Sequence, residues 1–288
     1  MTITTIEQDD PTGVKVNMWR EILDTPEADK VFSMEYLEKS PTFFVLDTLV
    51  SDIRINADGT RMIVLGDNTN RLYEFELTVP WHVLTLNISD IARFFLGSQS
   101  SQPSGFDFSP DGSKLLVVDY TTTTVFQYSL PVANSIAGMS YDGLSYNTAL
   151  THAEGLRFSA DGYKVFIGSS DTNIIHQYSV TTSGTLVGMT PTSSELDLSA
   201  IEDSIAGFDF NSTGLKLYVT GATTGEVHEF ILTNAYDFSV TPVYSGLSLD
   251  ISTEDTLPSG IIITDDPKYT YIMGVNTDYI YQYSYLYT

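Results

Sequence analysis

Five segments of this chain share one pattern, and the repeat restricts the fold more than any other feature of the sequence. The segments align without internal gaps, and each has an aromatic residue near its end. These residues are Phe75, Tyr128, Tyr178, Phe230 and Tyr283. Successive aromatics are separated by 53, 50, 52 and 53 residues. A period this regular predicts a closed ring or array of similar units.

Within one copy, apolar residues alternate with polar ones, which is typical of β-strands. Asp-Gly pairs at 58–59, 111–112 and 161–162 lie between the first two strands, where glycine tolerates the positive φ of a tight turn. The fifth copy has Asp266-Pro267, and proline cannot adopt that angle. A fourth, weaker strand ends each of the first four copies. Four antiparallel strands per 50-odd residues predict an all-β fold, a single β-propeller.

The ends of the chain suggest how the ring closes. The fifth copy stops after its third strand, and residues 41–50 upstream of the first copy read as a fourth strand. This predicts five blades, with repeats near 52–104, 105–154, 155–206, 207–259 and 260–288, and with the last blade completed by strand 41–50. Closure of this kind removes exposed strand edges. A six-bladed alternative takes residues 30–37 as the third strand of a truncated extra blade.

Residues 1–40 form a separate N-terminal arm with nine acidic and four basic residues. Trp19, Ile22 and Leu23 stand at helical spacing, and Thr25-Pro26-Glu27 is a plausible helix start. The arm either lies on the propeller surface or anchors the protein to a larger assembly. In the second case these three apolar residues are candidate partner contacts, together with Trp81, Phe94 and Phe95 in the first repeat.

Composition narrows the function. The net charge of −24 argues against binding to nucleic acid or to an anionic membrane surface. No apolar run is long enough to enter a membrane, and the N-terminus does not read as a signal peptide. With 42% apolar residues the chain can bury a core, and without cysteine it has no thiol chemistry.

The four histidines do not form a recognisable catalytic set. His176 and His228 occupy a repeat position that holds aromatic residues elsewhere, so we expect them to pack in the third strand. His82 lies in a loop beside Trp81 and is expected to be solvated. Motifs for phosphate loops, nucleophile elbows and calcium loops are absent from the sequence. We therefore predict a protein that is not an enzyme and has no cofactor.

The loop before each first strand is expected to lie near the central axis. These loops contribute His152 with Glu154, Glu202 with Asp203, Gln102, Leu257 with Ser259, and Leu49 with Ser51. A hard cation would need several convergent carboxylates or imidazoles. Two of the five loops supply them, so His152, Glu154, Glu202 and Asp203 are weak candidates for a metal site, and scattered solvated loops are the favoured interpretation.

The middle of the first strand carries alternating charge. The aligned residues are Arg54, Asp107, Arg157, Asp209 and Ile262. Neighbours around a closed ring can pair near the axis, and a buried set of this kind would fix the blade register rather than catalyse.

The repeats resemble a known group of propellers. The matching segments are Ser109-Pro110-Asp111-Gly112, Val125-Phe126-Gln127-Tyr128-Ser129-Leu130, Val79-Pro80-Trp81-His82-Val83 and Ser140-Tyr141-Asp142-Gly143. They resemble YVTN and WD-like propeller repeats, and more narrowly the repeats encoded by tailed bacteriophages. His82 departs from that pattern, which usually has Asp. The resemblance covers about residues 42–288 and specifies fold better than function.

The resemblance implies a non-enzymatic structural or binding propeller in a phage virion, as a tail or capsid accessory, a decoration protein or an adhesin. Its expected partners are other virion proteins, through the arm, and a glycan or protein of a host surface. Two alternatives stay open: a metal-dependent, lactonase-like or hydrolytic propeller, and an intracellular scaffold for protein partners. The expected location is the virion, with a cytoplasmic or extracellular soluble protein as the alternative.

Overall fold

A computed structural model describes residues 3–9, 15–21, 34–41, 47, 49–264 and 269–285. Three strands precede the repeats: β1 (Ile3–Asp9), β2 (Lys15–Glu21) and β3 (Met34–Lys39). Strands β1 and β2 form a two-stranded antiparallel sheet of their own. Trp19 therefore lies in a strand, opposite Thr5, and the helical prediction is wrong there. Ile22, Leu23 and residues 25–27 lie outside the described residues.

The remaining strands form five four-stranded antiparallel blades, which confirms the predicted all-β propeller. The strands of each blade are given from the axis outwards. Blade 1 contains β4 (Val50–Ile55), β5 (Arg61–Gly66), β6 (Arg71–Leu77) and β7 (Leu86–Phe95), and blade 2 contains β8 (Pro103–Phe108), β9 (Lys114–Asp119), β10 (Thr124–Ser129) and β11 (Ser140–Asn147). Blade 3 contains β12 (Ala153–Phe158), β13 (Lys164–Ser169), β14 (Ile174–Ser179) and β15 (Thr190–Asp197). Blade 4 contains β16 (Ile205–Phe210), β17 (Lys216–Gly221), β18 (Glu226–Ile231) and β19 (Val243–Asp250). Blade 5 contains β20 (Pro258–Ile263), β21 (Tyr269–Gly274), β22 (Tyr279–Tyr285) and, as its outermost strand, β3. One 3₁₀ turn, Val83–Thr85, precedes β7. In the part of the chain that is described, no helix has the length and hydropathy to cross a membrane.

An N-terminal strand closes the fifth blade, as predicted, but the assignment of that strand to residues 41–50 is wrong. Strand β3 pairs with β22, with Tyr36 opposite Tyr283. After its outermost strand, the chain must return to the axis across three strand spacings, about 14 Å. Residues such as 148–152 connect the outermost strand of one blade to the first strand of the next. Because β3 ends at Lys39 and β4 begins at Val50, residues 40–49 are the part of the sequence available for the same connection. A strand over 41–50 would leave no chain for it. The six-blade alternative is wrong for the same reason, because β3 is a fourth strand.

The predicted Asp-Gly turns are present in the first three blades. Gly59, Gly112 and Gly162 have φ values of +70°, +69° and +72°. The corresponding turn of the fifth blade, with Asp266-Pro267, lies outside the described residues.

Each third strand has a Gln or Glu at the same position of the repeat, and hydrogen bonds between blades explain why. In four blades its side-chain oxygen accepts a hydrogen bond from a backbone N–H in the neighbouring blade. The pairs are Gln127 with Leu186 (2.7 Å), Gln177 with Phe238 (2.8 Å), Gln282 with Val83 (3.1 Å) and Glu74 with Ile136 (2.8 Å). In blade 4, Glu229 instead accepts from Lys216 and Tyr218. These interblade hydrogen bonds, together with apolar clusters shared by adjacent sheets, hold the ring.

Candidate functional site at the central axis

The four charged residues predicted at the axis are brought together. Arg54 Nε lies 2.9 Å from Asp107 Oδ1, and Arg157 Nε lies 3.3 Å from Asp209 Oδ1. The pairing is not a simple alternation between neighbours, because Arg157 also reaches across the ring. Its two terminal nitrogens each lie 2.9 Å from the carboxylate of Asp52, which is a bidentate contact.

Asp52 is the axial residue that the repeat did not identify. The aligned residues in the other blades are Gly105, Gly155, Gly207 and Gly260. A Cβ on Gly105 would lie 2.6 Å from the Cα of Gly155, so the first strands approach backbone to backbone there. The first blade departs from this glycine position, and that departure is the signal by which Asp52 can be found. Its carboxylate supplies the charge that Ile262 lacks in the fifth blade.

The axial carboxylates also link one blade to the next. Asp52 accepts from the backbone N–H of Phe106, at 3.0 Å, and Asp107 accepts from that of Phe158, at 2.8 Å. Asp209 accepts from Ile263 N–H at 2.9 Å. Each bond runs from a first strand to a first strand of another blade, so the charges fix blade register.

The axial cluster carries three carboxylates and two guanidinium groups. Burial raises the pKa of Asp52, Asp107 and Asp209 to about 6, although Arg54 acts in the opposite direction on all three. The cause is desolvation, which disfavours an unbalanced buried charge. The cluster therefore binds a proton more readily than carboxylates in water do.

A cavity of about 210 Å³ is lined by residues of blades 1, 3, 4 and 5. Its residues include Leu49, Ser51, Glu154, Leu257 and Ser259, which the sequence placed near the axis. Asp67 lines the cavity as well, and it was not predicted. Gln102, from the equivalent loop of blade 2, does not line it and contacts Thr121 instead.

The two carboxylates of the cavity repel each other. Burial raises the pKa of Glu154 to about 7, and the charge of Asp67 acts in the same direction. Burial also raises the pKa of Asp67 to about 6, helped by Asp47 and Asp119. A hydrogen bond from Ser170 partly offsets the shift of Glu154. The cavity is thus a place where negative charge lacks compensation.

The weak metal candidates do not converge. His152 stacks on Tyr120 at 4.4 Å, and its Nδ1 lies 2.7 Å from Asp171. Asp203 is exposed. Within the described ranges, no group of three or more His, Asp or Glu side chains is arranged to hold a metal ion.

Glu202 belongs to a repeated structural contact. Its carboxylate accepts from Thr224 Oγ1 at 2.6 Å and from the backbone N–H of Thr223 at 3.2 Å. Asp255 holds the hydroxyl of Thr277 in the same way, at 2.6 Å. In each case a loop carboxylate fastens the turn between the second and third strands. Glu202 therefore has a structural role in this turn.

The other histidines have partners within the fold. His228 is 4% exposed, faces the ring of Tyr244 and lies 3.7 Å from Glu202. His176 is half-buried beside Glu195, and burial lowers its pKa. The His82 side chain is 42% exposed, and its Nδ1 lies 3.4 Å from Glu38.

Trp81 covers the hairpin turn of its own blade. Its ring lies over Gly59, its N–H donates to Gly59 O, and its carbonyl accepts from Tyr271. Asn134 and Tyr236 cover the corresponding glycines of blades 2 and 4, and like Trp81 they have positive φ. The position is structural in every blade where it is seen.

The two predicted aromatic contacts at the end of β7 differ in exposure. Phe94 packs edge-on against Tyr128, with ring centroids 5.7 Å apart. Phe95 is 47% exposed and lies beneath Arg71. Of Trp81, Phe94 and Phe95, Phe95 presents the most open surface.

Comparisons with known proteins support the fold and go no further. No protein-family model and no curated protein sequence matches the chain. Among solved structures, a luciferin-regenerating enzyme aligns with a TM-score of 0.54 at 10% identity, over 86% of this chain and 95% of that one. A functionally unknown protein from Desulfotomaculum acetoxidans aligns with a TM-score of 0.50 at 15% identity, over 78% of this chain. A chain of a nidogen/laminin complex gives 0.50 at 9% identity, over 78% of this chain and 72% of that one.

The chain spans 62% of the length of the Desulfotomaculum protein, less than two thirds of it. At identities of 9–15%, these structural alignments indicate a shared β-propeller architecture and nothing about function.

Proposed function

We propose that this protein is a non-enzymatic binding or structural propeller of a phage virion, in which residues 1–33 attach it and the ring faces a partner. The observation that carries the proposal is the separate β1–β2 sheet. Among the described strands, β1 and β2 pair with each other and with no strand of the ring. An isolated two-stranded sheet is marginal in water, so a partner surface would stabilise it.

The use of the polar groups also supports a role without catalysis. Glu202 fastens a turn, and Asp52 and Arg157 hold first strands together. These are groups from which a hydrolytic site would otherwise be assembled. Their structural engagement favours binding over turnover.

Incorporation into particles tests the anchor. Because β3 completes the ring, the truncation has to stop at residue 33, and removal of residues 1–40 would damage the fifth blade. We expect the chain lacking residues 1–33 to keep the far-ultraviolet circular dichroism of the full ring and to be absent from gradient-purified particles. Full-length protein carrying the same tag is the control. Equal incorporation of the truncated chain refutes the anchor.

The enzymatic rival has its own test. A metal-dependent lactonase would open a lactone ring, release acid in a pH-stat and lose its rate with a chelator. We expect no rate above the uncatalysed reaction, with or without added Ca²⁺ or Zn²⁺. A rate that disappears on chelation would overturn the non-enzymatic assignment. Particles that lack the protein altogether, with stable capture of a cytosolic protein, would favour the scaffold.

A further inference from the structure

We propose that the axial cavity binds a primary ammonium group on a short alkyl chain, either a free amine or the lysine side chain of a partner. The inference deepens the binding role proposed above and rests on it. It follows from the polar atoms of the cavity, from its apolar wall and from the distribution of basic residues.

The polar groups of the cavity are arranged as acceptors. The hydroxyl of Ser259 donates to Val50 O at 3.2 Å, and that of Ser51 donates to Pro103 O at 3.3 Å. Their hydrogens therefore point to protein carbonyls, and their oxygens are left to accept. Glu154 and Asp67 accept as carboxylates. An ammonium group has three donors and no acceptor, so it matches this set.

The cavity also has apolar lining residues. These are Leu49, Ala206, Ala222, Leu257 and Val275, which together we call its apolar wall. A cavity of about 210 Å³ has room for roughly seven water-sized groups at about 30 Å³ each. The four carbons and one nitrogen of a butylammonium ion fit within it. An alkyl chain against the apolar wall would release ordered water, which a bare cation would not do.

The protein supplies no cation of its own to this place. Among the described residues between positions 34 and 264, every Lys and Arg side chain contacts an acidic group or an aromatic ring elsewhere. Neither Glu154 nor Asp67 is among those acidic groups. His152, two residues from Glu154, faces Tyr120 and Asp171. The missing positive charge is what the ligand brings.

A divalent metal fits less well. Calcium takes six to eight oxygen ligands, and magnesium demands a near-octahedral set. The cavity offers two carboxylates among mostly apolar side chains, and the described residues form no cluster of three or more ligands for a metal.

The test uses the full chain, with n-butylammonium as the probe. Calorimetry and NMR measure the binding of the probe to the protein. We expect saturable binding, at least ~10-fold weaker for Glu154→Gln, as expected for the loss of a charge-assisted hydrogen bond. Asp203→Asn is the matched control and should bind like the natural chain, because that carboxylate is exposed and does not line the cavity. Ala222→Leu keeps the charge and fills the cavity, and it should also abolish binding.

The pH profile provides a second readout. Since the pKa of Glu154 is raised to about 7, the acceptor is ionised at pH 8 and largely protonated at pH 6. Butylammonium affinity should fall across this window, and the fall should be smaller in Glu154→Gln. Asp67, with its raised pKa, and Ser170 are the other groups that face Glu154 and contribute to the profile.

Three results would overturn the proposal: equal binding by 1-butanol, unchanged affinity in both Glu154→Gln and Ala222→Leu, or displacement of the probe by Ca²⁺ alone. Binding of butylammonium but not of Nα-acetyl-lysine N-methylamide would identify a free amine as the source, and binding of both would support a partner lysine. Failure here leaves particle incorporation through the arm unaffected, so the two proposals fail separately.

Discussion

Removing the carboxylate of Asp52 should destabilise the ring more than removing any exposed acid. Asp52 makes two 2.9 Å contacts with Arg157, which is 1% exposed, and accepts from the backbone of the next blade. Loss of one partner of a buried ion pair costs about 3–5 kcal/mol. Arg157 keeps Asp209 and three carbonyl oxygens nearby, so the lower end of the range applies. We expect Asp52→Ala to lower the free energy of unfolding by about 3 kcal/mol.

Urea unfolding at pH 8, followed by circular dichroism, measures this loss. Asp203→Ala removes the same charge from an exposed loop and should change stability by less than about 0.5 kcal/mol. The double variant Asp52→Ala/Arg157→Met removes both partners. Its loss of stability should be at least ~2 kcal/mol smaller than the sum of the two single losses, because that sum counts the contact between Asp52 and Arg157 twice. A loss for Asp52→Ala as small as that of the control refutes the reasoning.

Two further predictions concern the same scaffold. The free energy of unfolding should fall as pH rises from 5 to 7. The pKa values of the three axial aspartates are raised to about 6, so in this range the folded state binds more protons than the unfolded chain does. Each extra proton bound corresponds to about 1.4 kcal/mol per pH unit. The raised pKa values of Asp67 and Glu154 act in the same direction, and the lowered pKa of His176 opposes them. Urea midpoints that rise between pH 5 and 7 would contradict the prediction. Gln177→Ala should lower the free energy of unfolding by about 1–3 kcal/mol in urea titrations, because it leaves the buried N–H of Phe238 in the next blade without an acceptor. The control Gln102→Ala, at an exposed residue, should have little effect. Equal losses in the two variants would refute the role of the interblade hydrogen bond.

The repeat made the fold predictable because each copy reports the same local geometry five times. The alternating strands, the Asp-Gly turns and the position of Arg54 and Arg157 near the axis all follow from aligned copies. Ring closure was predicted only in part. The connection from the outermost strand to the axis does not repeat in sequence, so the strand-like pattern of residues 41–50 predicts the fourth strand there, whereas the fourth strand is β3 (Met34–Lys39).

The cavity could be located from sequence but its chemistry could not. The position of Glu154 and Ser259 near the axis follows from their place before the first strands. Asp67 directly follows the second strand, at the repeat position that Ala222 and Val275 hold in blades 4 and 5, and all three residues line the cavity. Alignment of the copies places Asp67 near Glu154 in this way, but it does not give the burial that raises the pKa of both carboxyl groups.

An odd number of blades explains why the axis needs Asp52. Two arginines and two aspartates can alternate over four blades, but the fifth position breaks the alternation and is occupied by Ile262. Arg157 then faces more than one neighbour, and a further carboxylate from the glycine position of blade 1 satisfies both of its terminal nitrogens. This carboxylate gives the cluster one more negative than positive group. Burial is the main cause of the raised pKa values of these aspartates, and for Asp209 the charge of Asp52 acts in the same direction. An odd number of blades therefore leaves a buried axis that favours the uptake of a proton.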